Sequence, residues 1–265
     1  MLIKEPIHKS TISKKSIIDN LISDVTYQDS HGVLATSENK AFLSIVSHNI
    51  KNPFGAFLGY SDLLQEDFSE LCDAEKLLFV AEMKKTANYT YRYFERFFEW
   101  MYYKTGKYIA HHTALNLRET VAKSVNQILQ DTNFLGEIDF NIDANIEILA
   151  DETSTIKALF YILENASIYS PKNGIIEVSA TDNSDFIEIS IKDQGCGISN
   201  SKLNELIDVS VNLVPNSEGN ENATGLGLIL VSEIMKINKG SVRIDNNCDL
   251  GTTVCIKLQK YHRIN

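Results

Sequence analysis

The sequence predicts an α+β chain, with an antiparallel helical hairpin over residues 38–109 followed by an α/β layer over residues 110–260. Three observations carry this. Residues 38–104 hold a single proline and repeat apolar side chains at helical spacing. From about residue 112 the hydrophobic period switches back and forth between helical and alternating. No stretch reaches the ~18 consecutive apolar residues of a membrane helix.

Residues 1–37, rich in Ser, Lys and Ile and without a firm period, read as a poorly ordered arm or short helix. On a helical wheel, Phe42, Leu43, Val46, Ile50, Phe54, Phe57, Tyr60 and Leu64 gather on one side of the first hairpin helix. His48 falls nearly opposite, with Lys51, Asn52, Gly55, Gly59, Asp62 and Glu66. Pro53 removes one backbone hydrogen bond and predicts a kink. A break is expected near Ser69–Asp73, where Ser and Asp are capping residues. The second helix carries Val80, Met83, Ala87, Tyr91, Phe94, Phe98 and Met101 as a core and interface stripe. Tyr93 and Trp100 point off that stripe and are expected to pack on the following domain. The combined apolar face is too wide for one pair of helices, so a homodimer forming a four-helix bundle is expected.

Beyond the hairpin a helix is predicted at Leu117–Leu129, strands at Ile138–Ile142 and Ile146–Leu149, and a helix at Thr153–Tyr169. Strands follow at Gly174–Ala180 and Phe186–Lys192, then a polar loop, a helix after Gly225, and strands at Ser241–Asn246 and Thr252–Leu258. The order leans antiparallel and is not a strict βαβ repeat.

The net charge is −10 and no basic stripe is visible, which argues against binding nucleic acid or an anionic membrane. The first residues lack the apolar core of a signal peptide, so a cytoplasmic location is expected. Cys72, Cys196, Cys248 and Cys255 form no CxxC pair and are expected to be small buried hydrophobes in a reducing compartment.

Four short pieces recur at strand–loop–helix borders: Leu163-Glu164-Asn165-Ala166, Asp193-Gln194-Gly195-Cys196-Gly197, Thr224-Gly225-Leu226-Gly227-Leu228 and Gly251-Thr252-Thr253-Val254. Each alone is ordinary turn or helix punctuation. Together they suit a nucleotide. An Asp leaving a buried strand can accept a hydrogen bond from an exocyclic amine such as that of adenine. Gly195 and Gly197 let the backbone approach a flat base. Gly225 and Gly227 open a helix whose free N–H groups suit phosphates. A helix-borne Asn offers a neutral oxygen to Mg²⁺. No GxxxxGK[ST] occurs, and TGLGL follows a polar loop rather than an early strand, so neither a P-loop nor a dinucleotide-binding site is indicated.

FLSIVSHNIKNPF (Phe42–Phe54) resembles the H-box of sensor histidine kinases, and the four pieces resemble the N, G1 and G2 boxes of the GHKL ATPase fold with its final strand. The resemblance covers about residues 38–260. It implies a dimerisation and histidine-phosphotransfer hairpin carrying the phosphoacceptor His48, and a GHKL-type α/β sandwich that binds ATP and Mg²⁺. It further implies Asn165 as metal ligand, Tyr169 stacking on adenine, Asp193 reading its amino group and Thr253 supporting the adenine-side waters. Thr224, Gly225, Leu226 and Gly227 are implied at the phosphates, and Ser210–Thr224 as a lid. The implied partner is the receiver domain of a response regulator. The input is expected through the N-terminal arm, a separate sensor protein or a larger parent chain.

The sequence departs from that pattern at named places. Asn49 follows His48 where the family has Glu or Asp, Ile168 stands at a basic position, Tyr161 replaces an earlier N-box Asn, and Ala223 replaces a Gly. No Phe-rich F-box lies between Ile198 and Ser217. These changes predict weakened ATP binding and slow autophosphorylation. Two other readings stand beside the kinase. One is a kinase-like regulator of another signalling protein. The other is a phosphatase in which Asn52, one turn beyond His48, orients a water.

Overall fold

The computed structural model describes residues 37–132, 134–198, 225–247 and 251–262. The N-terminal arm up to residue 36, the expected lid, Thr224 and Cys248 lie outside the described residues.

Helices α1 (Ser37–Glu66) and α2 (Asp73–Lys104) form the hairpin. α1 runs through Pro53 as one continuous helix. The break falls where expected, but the cap differs: Cys72 holds the N-cap position and Asp73 is already helical. The Cys72 N–H donates to the Glu75 carboxylate at 2.8 Å, closing a capping box. Val46 and Ile50 are buried on α1 and His48 is exposed, as the wheel requires.

The buried face of α2 is not the expected stripe. Thr90, Tyr93, Arg96, Phe97, Trp100 and Tyr103 are buried, whereas Val80, Tyr91 and Phe98 are more than half exposed. α2 carries two apolar lines about one residue, or ~100°, apart. The line with Tyr93 and Trp100 faces inward and joins the core that continues into the α/β domain.

After the hairpin come β1 (His112–Asn116), α3 (Leu117–Asp131), β2 (Glu137–Asn141), β3 (Glu147–Asp151), α4 (Glu152–Tyr169), β4 (Ile175–Asp182) and β5 (Phe186–Lys192). α5 (Gly227–Ile237), β6 (Ser241–Asn247) and β7 (Gly251–Gln259) follow. β1 was not expected as a strand; it pairs antiparallel with β3 in a two-stranded sheet. The main sheet has five strands in the order β2-β4-β5-β7-β6. It is antiparallel except for β2, which runs parallel to β4. Alternate residues of β5, Ile187, Ile189 and Ile191, face the helices and are fully buried. α4 packs between α3 and α5 over this face. The order places the end of β5 and the start of β7 beside the start of α5 and the last turn of α4, and the described residues of the four motif pieces lie there.

Asp151 ties hairpin to sheet. It caps α4 through the Ser154 N–H at 2.9 Å, and it also accepts from the Tyr108 hydroxyl at 2.5 Å and the His111 N–H at 2.9 Å. The carboxylate raises the Tyr108 phenol, already pushed up by desolvation, to about 12. Of the cysteines, Cys255 is buried as expected, but Cys72, at the N-cap of α2, and Cys196, in the loop after β5, are exposed.

Candidate functional site

Asp193 stands just past β5 and is 7% exposed. Its Oδ1 accepts the Gly195 N–H at 2.7 Å and the Thr252 N–H at 3.1 Å, while its own N–H donates to the Thr252 carbonyl at 2.9 Å. Burial pushes this carboxyl above its ordinary range, and the two backbone donors act against that shift. The hydrogen bonds come from Thr252. Thr253, expected to support the adenine-side waters, is half-buried and pairs in register with Lys192 and Asp245. Gly251 makes the closure possible. Its φ is +94°, and a Cβ there would lie 1.9 Å from the Asp193 carbonyl oxygen.

Gly195 lays the same loop against the end of α4: an added Cβ would fall 2.7 Å from the Tyr169 carbonyl oxygen. The structure thus brings Tyr169 and Asp193 together. The Tyr169 ring remains 44% exposed and open to stacking, with its phenol pushed up mainly by partial burial. Gly197 and Gly225 both have positive φ, at +69° and +73°.

α5 opens without a side-chain cap, so its first N–H groups keep the anion-binding character of a helix start. A Cβ on Gly227 would lie 3.3 Å from Asn165 Nδ2 and 3.5 Å from Oδ1, so the carboxamide rests against this first turn. Leu226 turns its side chain into the core and is 3% exposed, which leaves only its backbone for a ligand.

On the hairpin, His48 sits between two amides. Asn52 Nδ2 is 3.3 Å from Nε2, and Asn49 Oδ1 is 3.5 Å from Nδ1. Asn49 Nδ2 also donates to the Tyr93 hydroxyl oxygen at 3.2 Å across the hairpin. The glycines Gly55 and Gly59 are exposed, with no atom within 4 Å of a built Cβ.

Sequence reasoning missed a polar seam between α2 and α4. Arg96 and Glu164 form a buried ion pair. Glu99 accepts from both the Tyr161 hydroxyl and Lys157, and the Arg96 guanidinium lies 5.3 Å from the Tyr161 ring centre. Tyr161, the residue in place of the earlier N-box Asn, therefore serves the seam. Ile168 lines a cleft of about 890 Å³ beside it, with Arg92, Lys157 and Lys172. The legible signal was charge at matching intervals: Arg92, Arg96 and Glu99 on α2 against Lys157, Tyr161 and Glu164 on α4.

Comparison with known proteins agrees with this geometry. Residues 150–262 match the family described as histidine kinase-, DNA gyrase B-, and HSP90-like ATPase. An uncharacterized sensor-like histidine kinase of Rhizobium meliloti is 22% identical over 241 residues, covering 90% of this chain and 46% of its own length. The histidine protein kinase SaeS of Staphylococcus aureus is 25% identical over 253 residues, covering 91% of this chain and 70% of its own. The chain thus spans less than half of the Rhizobium relative. Among solved structures, histidine kinase ThkA, determined in complex with the response regulator protein TrrA, superposes with a TM-score of 0.67 at 17% identity over 93% of this chain and 66% of that one. Acinetobacter baumannii AdeS gives 0.59 at 15% identity, over 81% of this chain and 98% of its own. Those two likenesses establish the fold of hairpin and sandwich together. Residues 150–262, which hold the buried Asp193 clasp and the Asn165–Gly227 contact, match that ATPase family, and over most of its length the chain is similar to sensor-like histidine kinases.

Proposed function

We propose that this chain phosphorylates itself on His48 from ATP and passes the phosphoryl group to an aspartate on a response regulator receiver domain. The observation that carries this is Asp193, a buried carboxylate fixed by two backbone N–H groups at the mouth of the sandwich, where it can accept from the amino group of adenine. Tyr169 supplies a ring beside it, and the uncapped start of α5 faces the phosphates.

Asn165 is suited to Mg²⁺. Its carboxamide lies beside that helix start, where a side chain at 227 would crowd it. Among the described residues no cluster of three or more His, Cys, Asp or Glu could enclose a cation. A single amide oxygen completed by substrate phosphates and water matches how Mg²⁺ is usually held. When bound, the ion would neutralise phosphate charge. The chain's own residues do the rest: they orient the nucleotide, exclude water from the base and present the imidazole. Asn49 brings a hydrogen bond to His48 without negative charge, so the reaction should be slow.

A phosphatase activity toward the same regulator has its own support, because Asn52 holds an amide one turn from His48. The exposed second stripe of α2 supports a homodimer through the hairpin. The relatives' greater length supports input from a segment or sensor protein outside this sequence. No helix among the described residues is long and apolar enough to cross a membrane, and the need for ATP favours a cytoplasmic site.

Incubation with γ-labelled ATP and Mg²⁺ tests the proposal. Label that is acid-labile and base-stable, and absent from His48→Gln, is the expected result. Asp193→Asn should weaken adenine nucleotide binding by more than ~1 kcal/mol in calorimetry. Equal affinity in both proteins would remove Asp193 from the site.

A further inference from the structure

Helix α4 is held on α2 by side chains that reach across a gap. The cleft of about 890 Å³ lies between the two helices, with Arg92 and Glu99 on one side and Tyr161 and Ile168 on the other. There the Tyr161 hydroxyl donates to the Glu99 carboxylate, which also accepts from Lys157. A carboxylate only accepts, so the direction of the phenol bond is fixed. Tyr161 is 7% exposed; burial first, and then the Glu99 charge, push its phenol well above the ordinary range, so the proton stays available to Glu99. The Arg96 guanidinium lies 5.3 Å from the ring centre and pairs in turn with Glu164. Phe160 meets the ring edge-on at 5.7 Å. An Asn at 161, as in the N-box pattern, would end at the level of the ring's Cδ atoms, short of Glu99. These bonds also fix a level. From Lys157 through Tyr161 to Glu164 the partners on α2 run back from Glu99 to Arg96, so the two helices pass in opposite senses. Tyr169 lies about 7.5 Å along α4 beyond Glu164, and Tyr93 about 4.5 Å along α2 beyond Arg96. The stretch from Asn165 to Tyr169 therefore comes level with Tyr93, which bonds Asn49, the neighbour of His48.

We propose that Tyr161 is a positioning residue for phosphoryl transfer: through Glu99 and Arg96 it docks the α/β domain on α2 at the level that brings the nucleotide's phosphates to His48. The proposal rests on His48 being the phosphoacceptor, and it gives the departure at 161 a purpose that an Asn could not serve. A slip of α4 by one turn along α2 would displace the phosphates by about 5.4 Å, far more than an in-line attack tolerates. Apolar contact alone would resist such a slip weakly. Directional bonds resist it strongly, because sliding strips Glu164 and Glu99 of their partners in a buried setting. Asp193, Tyr169 and the start of α5 take no part in these bonds. Tyr161 therefore acts on the transfer step and leaves nucleotide affinity alone.

The chain's single tryptophan reports the docking, since Trp100 is 3% exposed on the inward face of α2. The test compares wild type with Tyr161→Phe, which keeps the ring and removes the donor. Tyr161→Phe should raise acrylamide quenching of Trp100 and shift its emission to the red. With γ-labelled ATP at saturation it should label His48 about tenfold more slowly, the scale of one hydrogen bond to a charged group. Its affinity for ATP in calorimetry should match wild type. Glu99→Leu should give the same pattern from the hairpin side, and Tyr161→Phe added to it should change nothing further. A merely structural role for the tyrosine within the α/β domain would instead lower ATP affinity and add to the effect of Glu99→Leu. A folded Tyr161→Phe whose Trp100 is quenched as in wild type, or one that labels faster, overturns the proposal. So does slower labelling that a weakened ATP affinity accounts for. Should Tyr161→Phe not fold, Glu99→Leu decides by the same readouts. Absence of labelling in every protein, with the Trp100 pattern as described, sinks the kinase reading and leaves the dock standing. Normal labelling in every protein with an unmoved Trp100 does the reverse.

Discussion

Helices α2 and α4 are both long and rich in large apolar residues, yet they are buried very differently. Nine of the 18 residues of α4 are buried, spread from its first turn to its last. Only six of the 32 residues of α2 are buried, and none precedes Thr90. In the first half of α2, Leu77 and Val80 are 70% and 53% exposed. The α/β domain closes its core with its own chain, because a five-stranded sheet presents one broad face that three helices can cover. A helical hairpin has a seam on each helix and only one partner for each. Its distal half keeps an apolar face that costs free energy in water and favours a second surface.

The sharpest break in this contrast lies at the seam where the two regions meet. Arg96→Ala leaves the Glu164 carboxylate buried without its partner and should cost about 3–5 kcal/mol in denaturant unfolding. Replacing both residues by apolar ones of similar size should recover most of that loss. A cost under ~1 kcal/mol for Arg96→Ala would mean that the domains do not dock through this pair.

Matched truncations compare the regions directly. Ile189→Ala, in the fully buried centre of β5, should cost about 2–5 kcal/mol. Leu77→Ala should cost less than ~0.5 kcal/mol in a monomer, because the side chain is already in water. In a dimer joined through the hairpin, Leu77→Ala should instead lower the mass seen by light scattering from about twice 29.8 kDa toward that value at low concentration. A wild-type protein of single-chain mass at micromolar concentration would break the comparison, since the hairpin would then tolerate its exposed face.

An effect smaller than those at the seam and in the centre of β5 is expected at the Asp151 junction. Burial alone would push this carboxyl up, but bonds from the Tyr108 hydroxyl, the His111 N–H and Ser154 bring it below its ordinary value. A carboxyl whose pKa is lower folded than unfolded adds stability above the unfolded pKa, and that stability disappears as pH falls through the folded one. Asp151→Asn keeps a capping oxygen but cannot accept from both the His111 N–H and the Oδ1 donors, and should therefore lose about 1–2 kcal/mol near neutrality. It should also show a flatter decline in melting temperature below about pH 4. An unchanged acid limb would mean that Asp151 does not carry this linkage.

Much of the site was legible because its signals are local. His48 and Asn52 are one helical turn apart, and that spacing alone puts Asn52 beside the imidazole. Asp193, Gly195, Gly225 and Gly227 announce strand ends and helix starts, where backbone conformation narrows the choice of residue. Thr252 was harder to read. Two threonines follow Gly251, and only the pairing of β7 with β5 decides which one meets Asp193. The inward line of α2 was obscured by a second apolar line on the same helix. β1 was missed because its outward residues are not strongly patterned.

The sequence by itself determined the hairpin, the positions of the motif residues and the alternation that makes β5 a half-buried strand. These depend on spacings of two to four residues, which backbone geometry converts directly into faces. Only the tertiary structure decided that β2 runs parallel to β4, that Arg96 meets Glu164 across 68 residues and that Tyr93 reaches Asn49 across 44. Contacts at such separations depend on how whole elements settle against one another, and no local period encodes which of two similar faces will turn inward.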